Sequence, residues 1–376
     1  MKSEEEILKK AKARTVDWVL VFIIVLLVLF GFLMVYSSSY PDGYYKYDGD
    51  PFYFLRKQVV AAGIGLVGMI FFANLPYIIY KKFNKIILLV CFILAMLTVV
   101  LGIASNGAQR WIVIGGMSLQ PSEIIKIGGV LYMADYFSRR RKDLPTFFKG
   151  FIPSLGYIGF FCGLIAIQDD LSTAVILGGT LMVMFFCSGA KISHLLMLVI
   201  LAVAGIAVLI ATQTYRITRI IVFFDPFKYP LDEGYQIINS LYALGTGGLF
   251  GMGIGKSRQK FFHLPEAYND FIFSIIGEEL GFVGCVFLML GFVVFAWRGL
   301  RISMNTDDFF GSQVALGLTV LVLVQFIIHI AVATSSMPPT GRALPFISAG
   351  GSSLMFLLCS MGILLNISKY SNTYRE

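Results

Sequence analysis

Asp270 stands at the mouth of the apolar run "FIFSIIGEELGFVGCVF", a carboxylate placed where the chain enters a hydrophobic segment. A carboxylate there can cap a helix, or it can move a proton on a substrate held at the edge of the apolar region. Glu278 and Glu279 follow inside the run, where ionisable groups must be paired, wetted or turned to a bundle interior, and a structural role is expected of them. Just upstream, "GGLFGMGIGKSRQKFFHLPEAYNDF" holds a Gly255-Lys256-Ser257 triplet that invites reading as a nucleotide phosphate loop. The spacing excludes it: the position of the loop's first glycine is Phe250, and a dinucleotide pattern begun at Gly251 and Gly253 fails at Lys256. These glycines are instead expected to let backbone come close to a ligand or a facing helix.

Three other segments carry polar groups at the ends of apolar runs. "NGAQRWIVIGGMSLQPSEIIKIGG" sets Arg110 and Trp111 before a glycine turn and opens a helix at Gln120-Pro121-Ser122-Glu123, with Lys126 one turn on, on the face of Glu123. That pair is either an intrahelical ion pair or part of a site. "IQDDLSTA" places Asp169 and Asp170 ahead of Ser172 and Thr173, and N-capping accounts for one of these acids. "SSMPPTGRALPFISAGGSSL" ends in Gly350-Gly351-Ser352-Ser353 at a helix start, where backbone N–H groups can hold an anion. Together the segments imply a polar cleft. His194, His263 and His329 form no ligand pattern, and the five cysteines lie in apolar runs without C-x-x-C spacing, so neither a zinc site nor a disulfide framework is expected.

What must position these groups is a set of membrane helices. Of 376 residues, 57% are hydrophobic and 14% charged, against about 25% charged in a soluble domain. Ten apolar segments can be drawn, at roughly 16–36, 59–72, 86–103, 124–137, 151–167, 173–186, 192–211, 271–297, 309–333 and 354–367. The fourth and sixth fall short of the ~20 residues that cross a bilayer as one helix, so some spans are expected to be broken or to run into polar flanks. The first reads as a retained signal anchor, because it lacks a small-residue cleavage site. Placing the N-terminus in the cytoplasm puts the Arg139 to Lys142 cluster inside, as the positive-inside rule requires. The fold expected is an all-α polytopic membrane protein in one domain, with cytoplasmic ends at 1–15 and 368–376. A long extracytoplasmic loop at 212–270, partly helical, joins the seventh and eighth spans, and the polar cleft opens outside. Basic clusters beside the membrane give no support to nucleic acid as a partner.

"GAQRWI", "LQPSEIIKI", "DPF", "GYQIINSLYALGTGGLFGMGIGKSRQKFFHLPEAYNDFIFSIIGEELG" and "PPTGRALPFISAGGSSL", in this order, resemble the SEDS (shape, elongation, division, sporulation) proteins, and the FtsW and SpoVE branch more than RodA. The resemblance covers nearly the whole chain. It implies a bacterial cytoplasmic membrane glycosyltransferase that polymerises lipid II into β-1,4 glycan at the outer face, beside a class B penicillin-binding protein. The family's essential aspartate falls on Asp270, and its cleft residues on Arg110, Gln120, Glu123, Lys126, Asp170, Thr173, Glu266, Thr340 and Ser348. Asp270 is expected to be the general base; Arg110, Lys126, Lys256 and Arg258 are the cations assigned to the leaving diphosphate, with a divalent cation, Mg or Mn, as optional help. The rival readings are a lipid II flippase, which would carry its key polar groups near midplane, and a non-catalytic scaffold for the penicillin-binding protein.

Overall fold

The computed structural model describes residues 15–105, 108–114, 117–212, 214–231 and 234–372. Most of the expected N-terminal segment and the last residues of the tail lie outside them. Helices α1 (Trp18–Lys46), α2 (Tyr53–Asn74), α3 (Asn84–Leu101), α4 (Pro121–Arg140), α5 (Ile152–Ala166), α6 (Leu171–Cys187) and α7 (Ile192–Ala211) precede the long connection, and α10 (Ile272–Met304), α11 (Phe309–Ala333) and α12 (Gly351–Ser368) follow it. Within the connection lie α8 (Thr214–Phe224), a turn of 3₁₀ helix at Pro226–Lys228, and α9 (Gly234–Gly247).

Among the described residues, eight helical stretches, those of α1, α2, α3, α5 with its preceding π turn, α7, α10, α11 and α12, are long and apolar enough to cross a membrane. The fourth and sixth sequence segments differ for separate reasons. α6 is apolar but only 17 residues long. α4 has 20 residues but carries Glu123, Lys126 and Asp135, and nearly all of it is buried against α3, α6 and α11, so its polar groups meet protein.

The chain is not wholly α-helical. Strands β1 (Ile103–Ser105), β2 (Ala108–Ile114) and β3 (Met117–Leu119) form a small antiparallel sheet between α3 and α4, with Ile112 opposite Leu119 and Ile114 opposite Met117. α4 then starts with Pro121 in its first turn and Glu123 near its positive end.

α10 is interrupted at Gly281, whose φ of 69° lies outside the helical range. The break is filled by the glycine-rich strap after α9. Met252 and Gly253 N–H donate to the carbonyls of Glu278 and Glu279 (2.9 and 3.0 Å), while Phe282 and Val283 N–H donate to Gly248 and Leu249 (2.9 and 3.1 Å). Irregular backbone beside a membrane helix persists only where other groups satisfy it, and the strap does this. A Cβ on Gly251 would collide with the Glu279 carbonyl, and one on Gly281 with the Gly251 amide. The glycines thus serve a facing helix. α9 is docked against the bundle too: the Ser240 hydroxyl donates to the Ala333 carbonyl (2.7 Å) and lies 2.6 Å from the Ser274 hydroxyl.

The far end of the bundle is closed by Asp17, which caps α1 through Leu20 N–H (3.0 Å) and receives the Arg298 guanidinium, Nε at 2.9 Å.

Candidate active site

The N-terminal ends of α4, α6, α10 and α12 converge with the 334–350 segment at one end of the bundle. Asp170 is the node. It caps α6 by accepting from Thr173 N–H (3.2 Å) through Oδ1, the oxygen that also takes the Arg342 guanidinium. Its Oδ2 accepts from Gln120 Nε2 (3.0 Å) and the Ser122 hydroxyl (3.2 Å) at the head of α4. Burial raises the Asp170 pKa, but Arg342, Arg110 and the Thr173 hydrogen bonds outweigh it and hold the carboxyl below its ordinary value. One ionised carboxylate therefore joins two helix heads to the last loop.

Asp169, at a positive φ of 56°, faces the other way. Its carboxylate pairs with Arg216 of α8 (3.2 Å) and its carbonyl accepts from Arg110. Arg219, one turn along α8, donates to the Pro339 carbonyl (3.1 Å), and the Ser172 hydroxyl donates to the Thr340 carbonyl (2.9 Å). Arg110, Thr340 and the start of α6 are thereby gathered under α8.

Asp270 lies at the edge of this cluster. Its N–H closes a turn on the Glu266 carbonyl (3.0 Å). Ser348 stitches the two loops together, its hydroxyl donating to the Asn269 carbonyl (2.6 Å) and accepting from Leu344 N–H (2.8 Å), while Ala349 N–H donates to Tyr268 (3.0 Å). Gly341, at φ 64°, passes so close that a Cβ there would lie 3.3 Å from Asp270 Oδ2. Among the described residues Asp270 Oδ1 is shielded from solvent with no hydrogen-bond donor, and the Arg342 Nε–H is a buried donor with no acceptor. Burial and then Glu266 raise the Asp270 pKa, Arg342, Arg219 and Arg110 lower it, and the balance leaves it at about 6. A carboxylate poised there can accept a proton near neutral pH.

The other sequence-selected residues are placed differently. Lys126 is buried, paired with Glu123 (3.0 Å) and bonded to Gln325 (3.2 Å), whose amide donates to the Ala343 carbonyl (2.9 Å); the pair underpins the 334–350 loop from below. Lys256 and Arg258 are exposed on the strap, and the cations acting most strongly on Asp270 are Arg342, Arg219 and Arg110. Glu266 is exposed at a positive φ of 54°. Glu278 and Glu279 have the structural role expected: Glu278 accepts from Arg258 and Gln259 N–H (2.9 and 3.3 Å), and Glu279 from Lys260 (2.8 Å) and Ser37 (2.7 Å). The Gly-Lys-Ser segment does bind anions, and they are the chain's own carboxylates.

Sequence spacing does not single out Arg342 or Arg219. The signal available was an arginine in each of two segments assigned outside, against the positive-inside tendency. Among the described residues no group of three or more His, Cys, Asp or Glu side chains is placed to hold a metal ion.

Between α2, α3, α4 and α12 lies a cavity of about 330 Å³, lined among others by Phe72, Ile87, Ile127, Leu131 and Phe356. A smaller void shares Ile127 and Ser360 with it and reaches Glu123 and Lys126.

The sequence model for FtsW, RodA and SpoVE, described as "Cell cycle protein", matches residues 17–373. Stage V sporulation protein E of Bacillus subtilis is 43% identical over 362 residues, covering 96% of this chain and 99% of that one. The probable peptidoglycan glycosyltransferase FtsW of Geobacter sp. (strain M18) is 40% identical over 354 residues, 94% and 96% of the two chains. The Rod shape determining protein RodA of Thermus thermophilus superposes with a TM-score of 0.70 at 26% identity, covering 96% and 98%. A chain from a peptidoglycan synthase complex shares the fold, with a TM-score of 0.75 at 24% identity over 96% and 99% of the chains.

Proposed function

This chain belongs to the FtsW/RodA/SpoVE family, and from that premise we propose that it is a peptidoglycan glycosyltransferase joining lipid II disaccharides into β-1,4 glycan with Asp270 as general base. The observation that carries the role of Asp270 is its unpaired, shielded Oδ1 with a pKa of about 6 among Arg342, Arg219 and Arg110. In this reading ten segments cross the membrane, α4 and α6 included, both termini are cytoplasmic, and the Asp270 cluster faces outward.

Asp270 takes the proton of the acceptor's 4-hydroxyl as that oxygen attacks C1 of the donor sugar. The bond from C1 to the diphosphate breaks, its electron pair leaves with undecaprenyl pyrophosphate, and the α linkage becomes β. The arginines and the N-terminal ends of α4 and α6 oppose the charge growing on the diphosphate. Because Asp170 and the Asp169 carbonyl already hold Arg342 and Arg110, little reorganisation is needed when that charge appears. Lys126 acts through Glu123 and Gln325 on the loop's shape. The apolar cavity beside α4 takes part of the polyprenyl chain. The partner is a class B penicillin-binding protein.

Polymerisation of purified lipid II by the wild type and by Asp270→Asn, each alone and with a partner whose transpeptidase is disabled, tests this. Glycan from the wild type only is expected. Equal glycan from both makes Asp270 a cap, and none from either, with lipid II crossing vesicles instead, favours the flippase.

A further inference from the structure

The end of the first helix, the loop after it and the head of α2 carry a set of aromatic rings, several of them exposed. α1 has 29 residues, about 44 Å of helix, which outruns a hydrocarbon core of about 30 Å. On its last turns and beyond, Tyr44, Tyr45 and Tyr47 are 49%, 67% and 37% exposed. Tyr47 stacks on Tyr53 (centroids 3.8 Å, planes 16° apart) and meets Phe54 edge-on (5.4 Å). Phe54 in turn lies 4.3 Å from the ring of Tyr268, two residues before Asp270. The rings thus lead from the Asp270 loop out to an open surface.

A second observation is independent of these contacts. Phe262 has a φ of 64°, a conformation that bulky residues avoid, and yet half of it is exposed. Strain of that kind persists where the surroundings impose it, and functional sites are where it collects. Here it presents a ring against Tyr45 (5.5 Å), with Lys46 Nζ 5.6 Å from its centre.

We propose that this aromatic surface binds the saccharide strand itself, as a track for β-1,4-linked N-acetylhexosamine units leaving or entering the Asp270 site. The proposal rests on the glycosyltransferase reading for its ligand class. β-1,4-linked pyranoses present flat faces of axial C–H bonds that pack on aromatic rings, and Tyr adds a hydroxyl for the sugar's polar rim. Beside the rings, Asp42 is paired with Lys46 (2.7 Å) and Asp50 with Arg56, and such paired charges can still exchange hydrogen bonds with sugar hydroxyls.

The test is saturation-transfer NMR with chitohexaose, a soluble β-1,4 oligomer of N-acetylglucosamine, on the full chain in nanodiscs. Wild type and Asp270→Asn should bind it alike. Tyr45→Ala combined with Phe262→Gly should weaken binding about tenfold. Glycine relieves the φ at 262, so thermal stability should hold, and Tyr45→Phe, which keeps the ring and loses only its hydroxyl, should bind more tightly than the ring-less variant. No transfer to the wild type, or equal transfer to the ring-less variant, overturns the proposal, as does a ring-less variant whose only defect is weaker attachment to vesicles of anionic lipid. Sugar binding without lipid II polymerisation would leave the track standing and remove the catalytic reading; polymerisation without ring-dependent binding would do the reverse.

Discussion

Arg342 and Asp170 form a buried ion pair, their side chains 8% and 1% exposed, between the last loop and the cap of α6. The other carboxylate oxygen holds Gln120 and Ser122, so the arginine neutralises a charge on which three pieces of the fold depend. Removing one partner of a buried pair leaves the other charged in a poor solvent, at a cost of about 3–5 kcal/mol. Arg342→Ala should therefore lower the unfolding midpoint in detergent sharply, and adding Asp170→Asn should recover part of the loss. Arg342→Lys keeps the charge but loses the guanidinium fork, so it should melt closer to wild type while turning over lipid II more slowly.

Asp270 predicts a pH profile with a definite sign. Its folded pKa of about 6 lies above its ordinary 3.8, so the base becomes competent as pH rises, and polymerisation should climb through pH 6 and level off above it. Stability runs the opposite way. A carboxyl with a raised folded pKa favours the folded state most below pH 3.8 and costs stability as pH rises through 6. Asp270→Asn should therefore be inactive yet more stable than wild type at pH 7, by at most about 3 kcal/mol. Melting curves of the two proteins at pH 7 and pH 5 check this, and the advantage should shrink at the lower pH.

Local chemistry made several elements legible in the sequence. Pro121 and Glu123 announce the head of α4, Asp170 caps α6 as its position before Ser172 and Thr173 suggests, and the glycines of the strap do meet a facing helix. What stayed hidden depends on distant partners. The fourth apolar segment, 124–137, is the middle of a longer α4 whose Glu123, Lys126 and Asp135 are buried against neighbouring helices. Arg342 sits among prolines and glycines with no local sign that Asp170, 172 positions earlier, receives it. Lys256 and Arg258, assigned to the diphosphate as external cations, have exposed side chains on the strap, and the backbone N–H of Arg258 is committed to Glu278. The β1–β3 sheet is too short for alternation to stand out from apolar runs.

The strap's glycines should not be equivalent. Gly251 and Gly255 both have positive φ, 77° and 81°, but a Cβ on Gly251 meets the α10 backbone whereas one on Gly255 meets nothing within 4 Å. Gly255→Ala should cost only the left-handed backbone penalty, about 1–2 kcal/mol. Gly251→Ala must also push the strap out of the α10 break, breaking the bonds from Met252 and Gly253, and should cost about 3 kcal/mol or more. Equal melting points for the two variants would mean that the strap is not seated against α10.

Lys260 and Glu279 fix the strap's other end. Their side chains are 2% and 0% exposed and 2.8 Å apart, and the ammonium also donates to the Gly255 carbonyl (2.8 Å) and the Ser37 hydroxyl (3.1 Å). Ten residues downstream of this anchor the same chain carries Asp270. Glu279→Gln leaves a buried ammonium without its counter-charge and Lys260→Met leaves a buried carboxylate; each should destabilise the protein by about 3–5 kcal/mol. The double variant leaves neither charge unpaired and should recover part of that loss, the amide introduced by Glu279→Gln keeping a hydrogen-bond partner in Ser37. Polymerisation measured well below the melting point should follow a different order. If the pair positions the loop bearing Asp270, the refolded double variant should remain slow because nothing directs the strap. Wild-type turnover in the double variant would restrict Lys260 and Glu279 to holding the fold together.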